Sequence, residues 1–417
     1  MYIKRKLEDT ISRYLNAPEV LALVGPRQCG KTTLIKEIAA RLPVAQILSF
    51  EDRDTLSLFE RDIKGFAKLY CKTPYLFIDE FQYAREGGKK LKYLYDEHHT
   101  KIIITGSSSI DLTVQALKYL VGRIFIFQLY PFDFQEFLSW KAPHLSGAFS
   151  LLGLNIVQGE KPELSDEIHD IFLKLFEEYV LFGGYPRVLA AELIKEKQEV
   201  LKNIYSTYFL RDVRDIMGLI DDYKFEKLIK ALGLQIGNLI DYSELGILSE
   251  YSYVTLKKML SFLEKTFICA LMRPYFTNKR KELVKNPKVY YFDTGLRNSV
   301  VNDFRALDAR TDSGALLENA LFQECVKHDI KPQFWRTKTG SEVDFIIAHH
   351  GVLIAIEVKK GKTNDRELIS FQKMHPNSTL FTGYWRGRQD TNSSIKVYPL
   401  YCMPFLFGEK KDEYEKA

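Results

Sequence analysis

The chain has 417 residues, 46% of them hydrophobic and 27% charged, with 59 Lys plus Arg against 54 Asp plus Glu for a net charge of +5. These are the proportions of an ordinary globular protein of roughly two to three domains, and they exclude long disorder, collagen-like repeats and a coiled-coil rod. So small an excess does not mark a nucleic-acid binder, because a basic face has to be found locally. Five scattered cysteines (Cys29, Cys71, Cys269, Cys325 and Cys402) form no CxxC pair. A disulfide framework or cysteine zinc site is therefore disfavoured, and a reducing cytoplasm is the expected location. The N-terminal stretch MYIKRKLEDTISRYL lacks the apolar core of a signal peptide. The most apolar runs, such as Ile124 to Phe134, are shorter than the ~20 residues that span a bilayer, so no membrane partner is expected.

Val20 to Val24 (VLALV) form a short apolar strand that ends at Gly25, Pro26, Arg27, Gln28, Cys29, Gly30, Lys31, Thr32 and Thr33. A helical pattern of Leu34, Ile35, Ile38 and Ala39 follows. This is GxxxxGK[ST] between a strand and a helix, the pattern of a phosphate-cradling loop. Glycines let backbone N–H groups close around phosphate, and the helix opening at Lys31 aims its positive dipole end at the same anion. Lys31 is expected to reach the β/γ phosphates of ATP, and the Thr32 hydroxyl to ligate Mg²⁺.

A second apolar strand, Tyr75 to Ile78, ends at Asp79-Glu80. Asp79 is expected to hold Mg²⁺ through water, and Glu80 to act as base toward the water that attacks the γ-phosphate. Gln82 reads equally as a nucleotide contact or a solvated loop residue. A third strand, Lys101 to Thr105, runs into Gly106-Ser107-Ser108-Ser109, and a helix is expected over Val114 to Leu120. Arg123 precedes a strand at Ile124 to Phe127, either as a γ-phosphate sensor in cis or as a finger given to a neighbouring subunit. Most surface arginines do neither. Strands near 20–24, 46–50, 75–79, 101–105 and 124–129 alternating with helices imply an α/β fold, a doubly wound parallel sheet with nucleotide at the carboxyl ends of its strands.

GPRQCGKTTL, LFIDEFQ, IITGSSS and VGRIFIFQLYPFDFQEF resemble the prokaryotic AAA-type P-loop ATPases that carry a C-terminal domain of uncharacterised function. The resemblance continues through LFGGYP, YFLRDV, TLKKMLSFLEKTFI, YYFDTGLRN and SEVDF. It implies that Thr105 or Ser107 helps to position the lytic water; the serine reads equally as an N-cap of the helix containing Val114 to Leu120. It also implies, by analogy, a homo-oligomer whose sites are completed by a neighbour's arginine. The Ser-, Gly-, Leu- and Pro-bearing segment from Trp140 to Ser165 reads as a variable loop.

From Asp166 to Leu219 the periodicity is helical, broken at Gly183-Gly184-Tyr185-Pro186, which suits a helical lid. Arg187, Arg211 and Arg214 are further finger candidates. Phe225 to Pro274 reads as three short helices and a strand, the spacing of a winged helix, in agreement with the resemblance. Its third helix, Tyr253 to Thr266, would present Ser252, Thr255, Lys257 or Lys258 to double-stranded DNA, or serve as a lid or protein-docking element. Asn278-Lys279-Arg280-Lys281 adds basic residues, but no aromatic–basic interleaving is visible.

In the last third, Glu342 and Asp344 share one face of a strand by the two-residue period. After a turn at His349-His350-Gly351, a second strand places Glu357 and Lys359 on one face. The pattern D…ExK on neighbouring strands resembles the restriction-endonuclease-like, PD-(D/E)xK nuclease fold, with Glu318 on the upstream helix Gly314 to Val326. Asp344 and Glu357 would bind Mg²⁺, Lys359 would orient or deprotonate water, and Glu318 would complete the metal's surroundings. That fold also serves as an inactive scaffold.

The expected organisation is an ATPase core at residues 1–165, a helical lid and winged helix at 166–285, and a restriction-endonuclease-like α/β domain at 286–417. The expected function is Mg²⁺-dependent ATP hydrolysis coupled to DNA or a partner protein. The alternatives are an ATP-gated metal-dependent DNA nuclease, or a nucleotide-dependent docking switch with an inactive nuclease-like domain.

Overall fold

The computed structural model describes residues 2–107, 119–160, 164–217, 221–349, 351–361, 365–387 and 394–407. The expected helix over Val114 to Leu120 falls largely outside these residues, as do Ser108, Ser109 and His350. The chain divides into two compact units. The first is Met1–Phe132 with Ser261–Phe267, and the second is Asp133–Leu260 with Ile268–Ala417.

The first unit is built on five parallel strands, β1 (Val20–Val24), β2 (Ala45–Ser49), β3 (Tyr75–Asp79), β4 (Lys101–Gly106) and β5 (Ile124–Gln128), in the order β2-β3-β4-β1-β5. β1 and β4 are buried along their whole length, as strands covered on both faces require, whereas the edge strands β2 and β5 leave Ile47 and Phe125 exposed. The helix Lys31–Ala40 returns the chain from β1 toward β2 and buries Leu34, Ile35, Ile38 and Ala39 in a core with Leu21, Leu23, Phe77 and Ile103. Phe50, Phe59, Phe66 and Phe81 form a second apolar cluster, with ring centroids from 4.9 to 6.4 Å apart. Because every strand runs the same way, the loop after β1, Asp79 after β3 and Ser107 after β4 come to one end of the sheet.

The second unit begins with helices. The stretch expected as a loop between Trp140 and Ser165 contains the helix Pro143–Val157. Phe149, Leu152 and Ile156 are buried along it, and the Phe149 ring packs 4.7 Å from that of Phe405. Tertiary burial of this stripe overrides the weak helix propensity of its Ser and Gly residues, and Pro143 occupies the first turn, where its missing N–H costs nothing. The helices Asp222–Leu234, Tyr242–Ser249 and Tyr253–Lys265 precede an antiparallel pair, β6 (Cys269–Met272) and β7 (Lys288–Tyr291).

The remaining sheet is mixed, in the order β12-β11-β10-β9-β8. β8 (Gln333–Arg336), β9 (Glu342–His349) and β10 (Val352–Lys359) pair antiparallel, while β10, β11 (Ser378–Tyr384) and β12 (Ile395–Pro399) are parallel. The helix Arg366–Met374 makes the crossover from β10 to β11, and the helix Ser313–Lys327 packs against β10. Among the described residues no helix is long and apolar enough to cross a membrane.

Candidate nucleotide-binding and carboxylate sites

The loop from Gly25 to Gly30 leaves β1 hard against the end of β5. A Cβ on Gly25 would come within 2.0 Å of the Leu129 carbonyl oxygen, so only glycine fits. Gly30 has φ of 101° and opens the helix Lys31–Ala40. This left-handed turn favours glycine and directs the first helical N–H groups toward the loop's interior. Lys31 is buried, and its Nζ donates to the carbonyls of Gly25 at 2.9 Å and Pro26 at 2.8 Å. Cys29 is wholly buried, with its Sγ 3.3 Å from the Leu129 oxygen, and burial pushes its thiol above the usual range.

Across the mouth of this loop the Thr32 hydroxyl donates to Asp79 Oδ2 at 2.7 Å. Asp79 Oδ1 accepts from the hydroxyl of Thr105, and the Glu80 N–H lies 3.2 Å from Thr105 Oγ1. The ends of β3 and β4 are thereby tied to the first turn of the loop's helix. Glu80 itself has φ of 55°, an uncommon conformation for a non-glycine residue, and it leads into the short turn Phe81–Tyr83. Gln82 is half-buried, donating from Nε2 to Glu80 Oε2 and to Ser107 Oγ, the latter at 3.2 Å. It is a bonded member of the site and not a solvated loop residue.

Arg123 lies elsewhere. Its carbonyl accepts from the Val20 N–H at the start of β1, and its guanidinium sits 3.4 Å from Asp96. Five residues of strand separate it from the loop, about 16 Å at ~3.3 Å per residue, so the sensor role in cis is corrected. Arg187 is exposed in the second unit, and the side chains of Arg211 and Arg214 fall outside the described residues.

One member of the site had no signal in the sequence. Arg5 is buried and donates to the Cys29 carbonyl at 2.9 Å and the Tyr130 carbonyl at 2.7 Å, with its guanidinium 4.7 Å from the centre of the Phe132 ring. It clamps the loop to the strand end beyond β5. Charged hydrogen bonds of this kind contribute about 1.5–3 kcal/mol each. Arg5→Met is therefore expected to lower the melting temperature by several degrees and weaken nucleotide binding about tenfold, measured by thermal unfolding with and without nucleotide. An unchanged affinity would show that the clamp does not shape the loop.

In the second unit, β9 and β10 pair Ile356 with Phe345, and the next step of this register sets Glu357 opposite Asp344. The Val358 N–H donates to Asp344 Oδ2 at 2.9 Å, and Lys359 Nζ lies 2.6 Å from Glu357 Oε2. Glu357 is 2% exposed, and its Oε1 is buried with no hydrogen-bond partner. Glu318, from the helix Ser313–Lys327, accepts from the Tyr290 hydroxyl at 2.8 Å and lies 3.8 Å from Lys288 Nζ. Lys288, itself 3% exposed, also pairs with Glu342. Burial, then the negative charge of Asp344, pushes Glu357 up to about 9 and Glu318 up to about 8. Burial likewise raises Asp344. The structure thus gathers Glu318, Asp344, Glu357 and Lys359, and adds Lys288, Tyr290 and Glu342, whose long-range partnerships no local pattern reveals. Among the described residues no group of three or more acids, histidines or cysteines is arranged as a ready metal cage. The oxygen donors and the orphaned Glu357 oxygen nevertheless suit a hard divalent cation.

With this geometry in place, the comparisons fall into register with it. Residues 17–138 match the model of an AAA domain, and residues 173–307 and 313–403 match two domains of unknown function, DUF8612 and DUF4143. The matched residues 17–138 contain the glycine loop, Asp79 and Glu80, and they resemble a P-loop AAA-type domain. An uncharacterized protein of Haemophilus influenzae is 26% identical over 91% of this chain and 92% of its own length. An uncharacterized protein of Methanocaldococcus jannaschii is 26% identical over 90% of this chain and 84% of its own. A Walker-type ATPase of Pyrococcus abyssi superposes with a TM-score of 0.46 at 17% identity, over 72% of this chain and 96% of that one.

Proposed function

We propose that the first unit hydrolyses ATP with Mg²⁺, using Lys31, Thr32, Asp79 and Glu80. The observation that carries the reading is the 2.7 Å contact between Thr32 Oγ1 and Asp79 Oδ2, which joins residues 47 positions apart at the mouth of the glycine loop. A hydroxyl beside a carboxylate is a donor set suited to Mg²⁺, which keeps several of its waters and takes phosphate oxygens as its other ligands. When bound there, Mg²⁺ offsets charge on the β and γ phosphates. Lys31 exchanges the Gly25 and Pro26 carbonyls for phosphate oxygens, the N–H groups from Gly30 to Thr33 at the start of the helix close around the same anion, and Glu80 takes the proton of the attacking water. The test is phosphate release by the purified protein with ATP and Mg²⁺. Release that is equally fast in excess chelator would sink the metal assignment.

The coupled activity is read from residues 222–291. Three helices followed by the β6–β7 pair suit a winged helix. Tyr242 and Tyr253 lie 5.5 Å apart, and Lys257, one helical turn after Tyr253, places its Nζ 4.5 Å from the Tyr253 ring centre, which groups aromatic and basic side chains. This supports double-stranded DNA as the partner. Affinity for duplex DNA is expected to fall with salt, and alanine at Lys257, Lys258, Lys279, Arg280 and Lys281 should flatten the log–log slope by about 0.9 per lost phosphate contact. Unchanged binding in that variant would remove this face from the interface.

The facing acids on β9 and β10 favour a second reading, a divalent-metal site of a restriction-endonuclease-like domain. Asp344 and Glu357 would hold the cation, with Lys359 and Glu318 beside it. DNA cleavage that persists in Asp344→Ala with Lys359→Ala would place the activity elsewhere.

A further inference from the structure

We infer that Gln82 is a further catalytic residue of the proposed ATPase site, holding Glu80 in place through Nε2 and offering Oε1 as a second acceptor to the attacking water. The inference rests on the hydrolysis reading above. Its ground is the turn after β3. The left-handed backbone of Glu80 reverses the chain, and Phe81 anchors the turn by packing its ring 5.7 Å from Phe50 and 5.9 Å from Phe59. Gln82 is thereby brought back beside the carboxylate it follows by two residues. A carboxylate only accepts hydrogen bonds, so the amide must turn its NH₂ group toward Glu80, where the same group also reaches Ser107 at the end of β4.

That orientation fixes the other half of the amide. Gln82 Oε1 is buried with no hydrogen-bond partner, a condition that costs about 1–3 kcal/mol for a polar group. An acceptor left orphaned beside the base of a hydrolase is suited to a water that has two hydrogens to place. One hydrogen points to Glu80 and the other to Gln82, which leaves the lone pair of the water oxygen for phosphorus. The oxygen forms the new P–O bond, and the bond to the bridging oxygen breaks with its electron pair remaining on ADP. The abstracted proton passes to Glu80, while Gln82 keeps its protons throughout.

The experiment measures phosphate release and binding of a fluorescent ATP analogue for the full chain and for Gln82→Ala, Glu80→Gln and the double variant. The expected result is a fall in kcat of at least about tenfold in Gln82→Ala, with KM and analogue affinity within about twofold of wild type. Glu80 and Gln82 hold the same water, so removing both should cost clearly less than the product of the two single effects. Wild-type kcat in Gln82→Ala overturns the inference. Loss of analogue binding in that variant, or effects that simply multiply in the double variant, also overturns it, by reducing Gln82 to support for the turn. A wild-type protein that binds the analogue and releases no phosphate sinks the hydrolysis reading itself, and this inference with it.

Discussion

Lys31→Ala is expected to lose ATP affinity by about 2–5 kcal/mol, thirtyfold or more, because the phosphates lose a buried ammonium placed to meet them. Glu80→Gln is expected to behave in the opposite sense, binding ATP at least as well as wild type while turnover falls about a hundredfold or more. The contrast follows from position. Lys31 lies inside the loop, bonded to the Gly25 and Pro26 carbonyls that phosphate oxygens would replace, whereas Glu80 lies beyond Asp79 and outside the cradle. Lys31→Arg should not rescue binding, since a planar fork does not fit a pocket built for a point charge. Titration with a fluorescent ATP analogue, together with phosphate release, separates the two effects. Wild-type turnover in Glu80→Gln would remove its assignment as base.

The largest pH effect is expected from the carboxylate site of the second unit. Glu357, pushed up to about 9, and Glu318, pushed up to about 8, stay protonated in the folded protein over a range where unfolded carboxyls have ionised. In that window the native state binds more protons than the unfolded state, so stability falls as pH rises from the ordinary value of 4.5 through about 9. Without metal, the melting temperature should drop by several degrees between about pH 5 and 9, and Glu357→Gln should flatten that slope. A divalent cation between Asp344 and Glu357 would reverse it, since binding at a hundredfold over Kd adds about 2.7 kcal/mol. Mn²⁺ should therefore raise the melting temperature at pH 8 in wild type and do nothing in Asp344→Asn. The competing arrangement, an ion-pair cluster neutralised by side-chain cations such as Lys359, Lys288 and Arg336, predicts no Mn²⁺ effect in wild type.

What the sequence reveals and what it hides divide along the range of the interactions. The glycine loop, the strand ending in Asp79-Glu80 and the paired acids at Asp344 and Glu357 are legible because each depends on spacing within one or two neighbouring elements. The parallel sheet is legible because apolar runs alternate with helical periods. Arg5 is not, since it meets the Tyr130 carbonyl 125 positions away and nothing local marks it. Lys288 and Tyr290 are hidden in the same way, on a strand outside the sheet, pairing with Glu318 of the helix Ser313–Lys327 and, for Lys288, with Glu342 of β9. The helix Pro143–Val157 is masked by its Ser and Gly content and declared only by what it buries. Arg123 is different, because the signal was there. In an all-parallel sheet a residue just before a strand lies at the end opposite a residue just after one, and that alone separates Arg123 from the loop.

The first unit is sewn from two stretches of chain, and its closing piece, Ser261–Phe267, is synthesised roughly 130 residues after Phe132. At about 5–20 residues per second the five strands wait about 6–26 s on the ribosome for that piece. During this time Tyr130 awaits the ring of Phe267, which meets it edge-on at 5.7 Å in the finished fold. A fragment ending at Phe132 would carry all five strands and the whole glycine loop, yet leave Tyr130 without the ring of Phe267. The first unit is thus continuous in its glycine-loop site but not in its biogenesis.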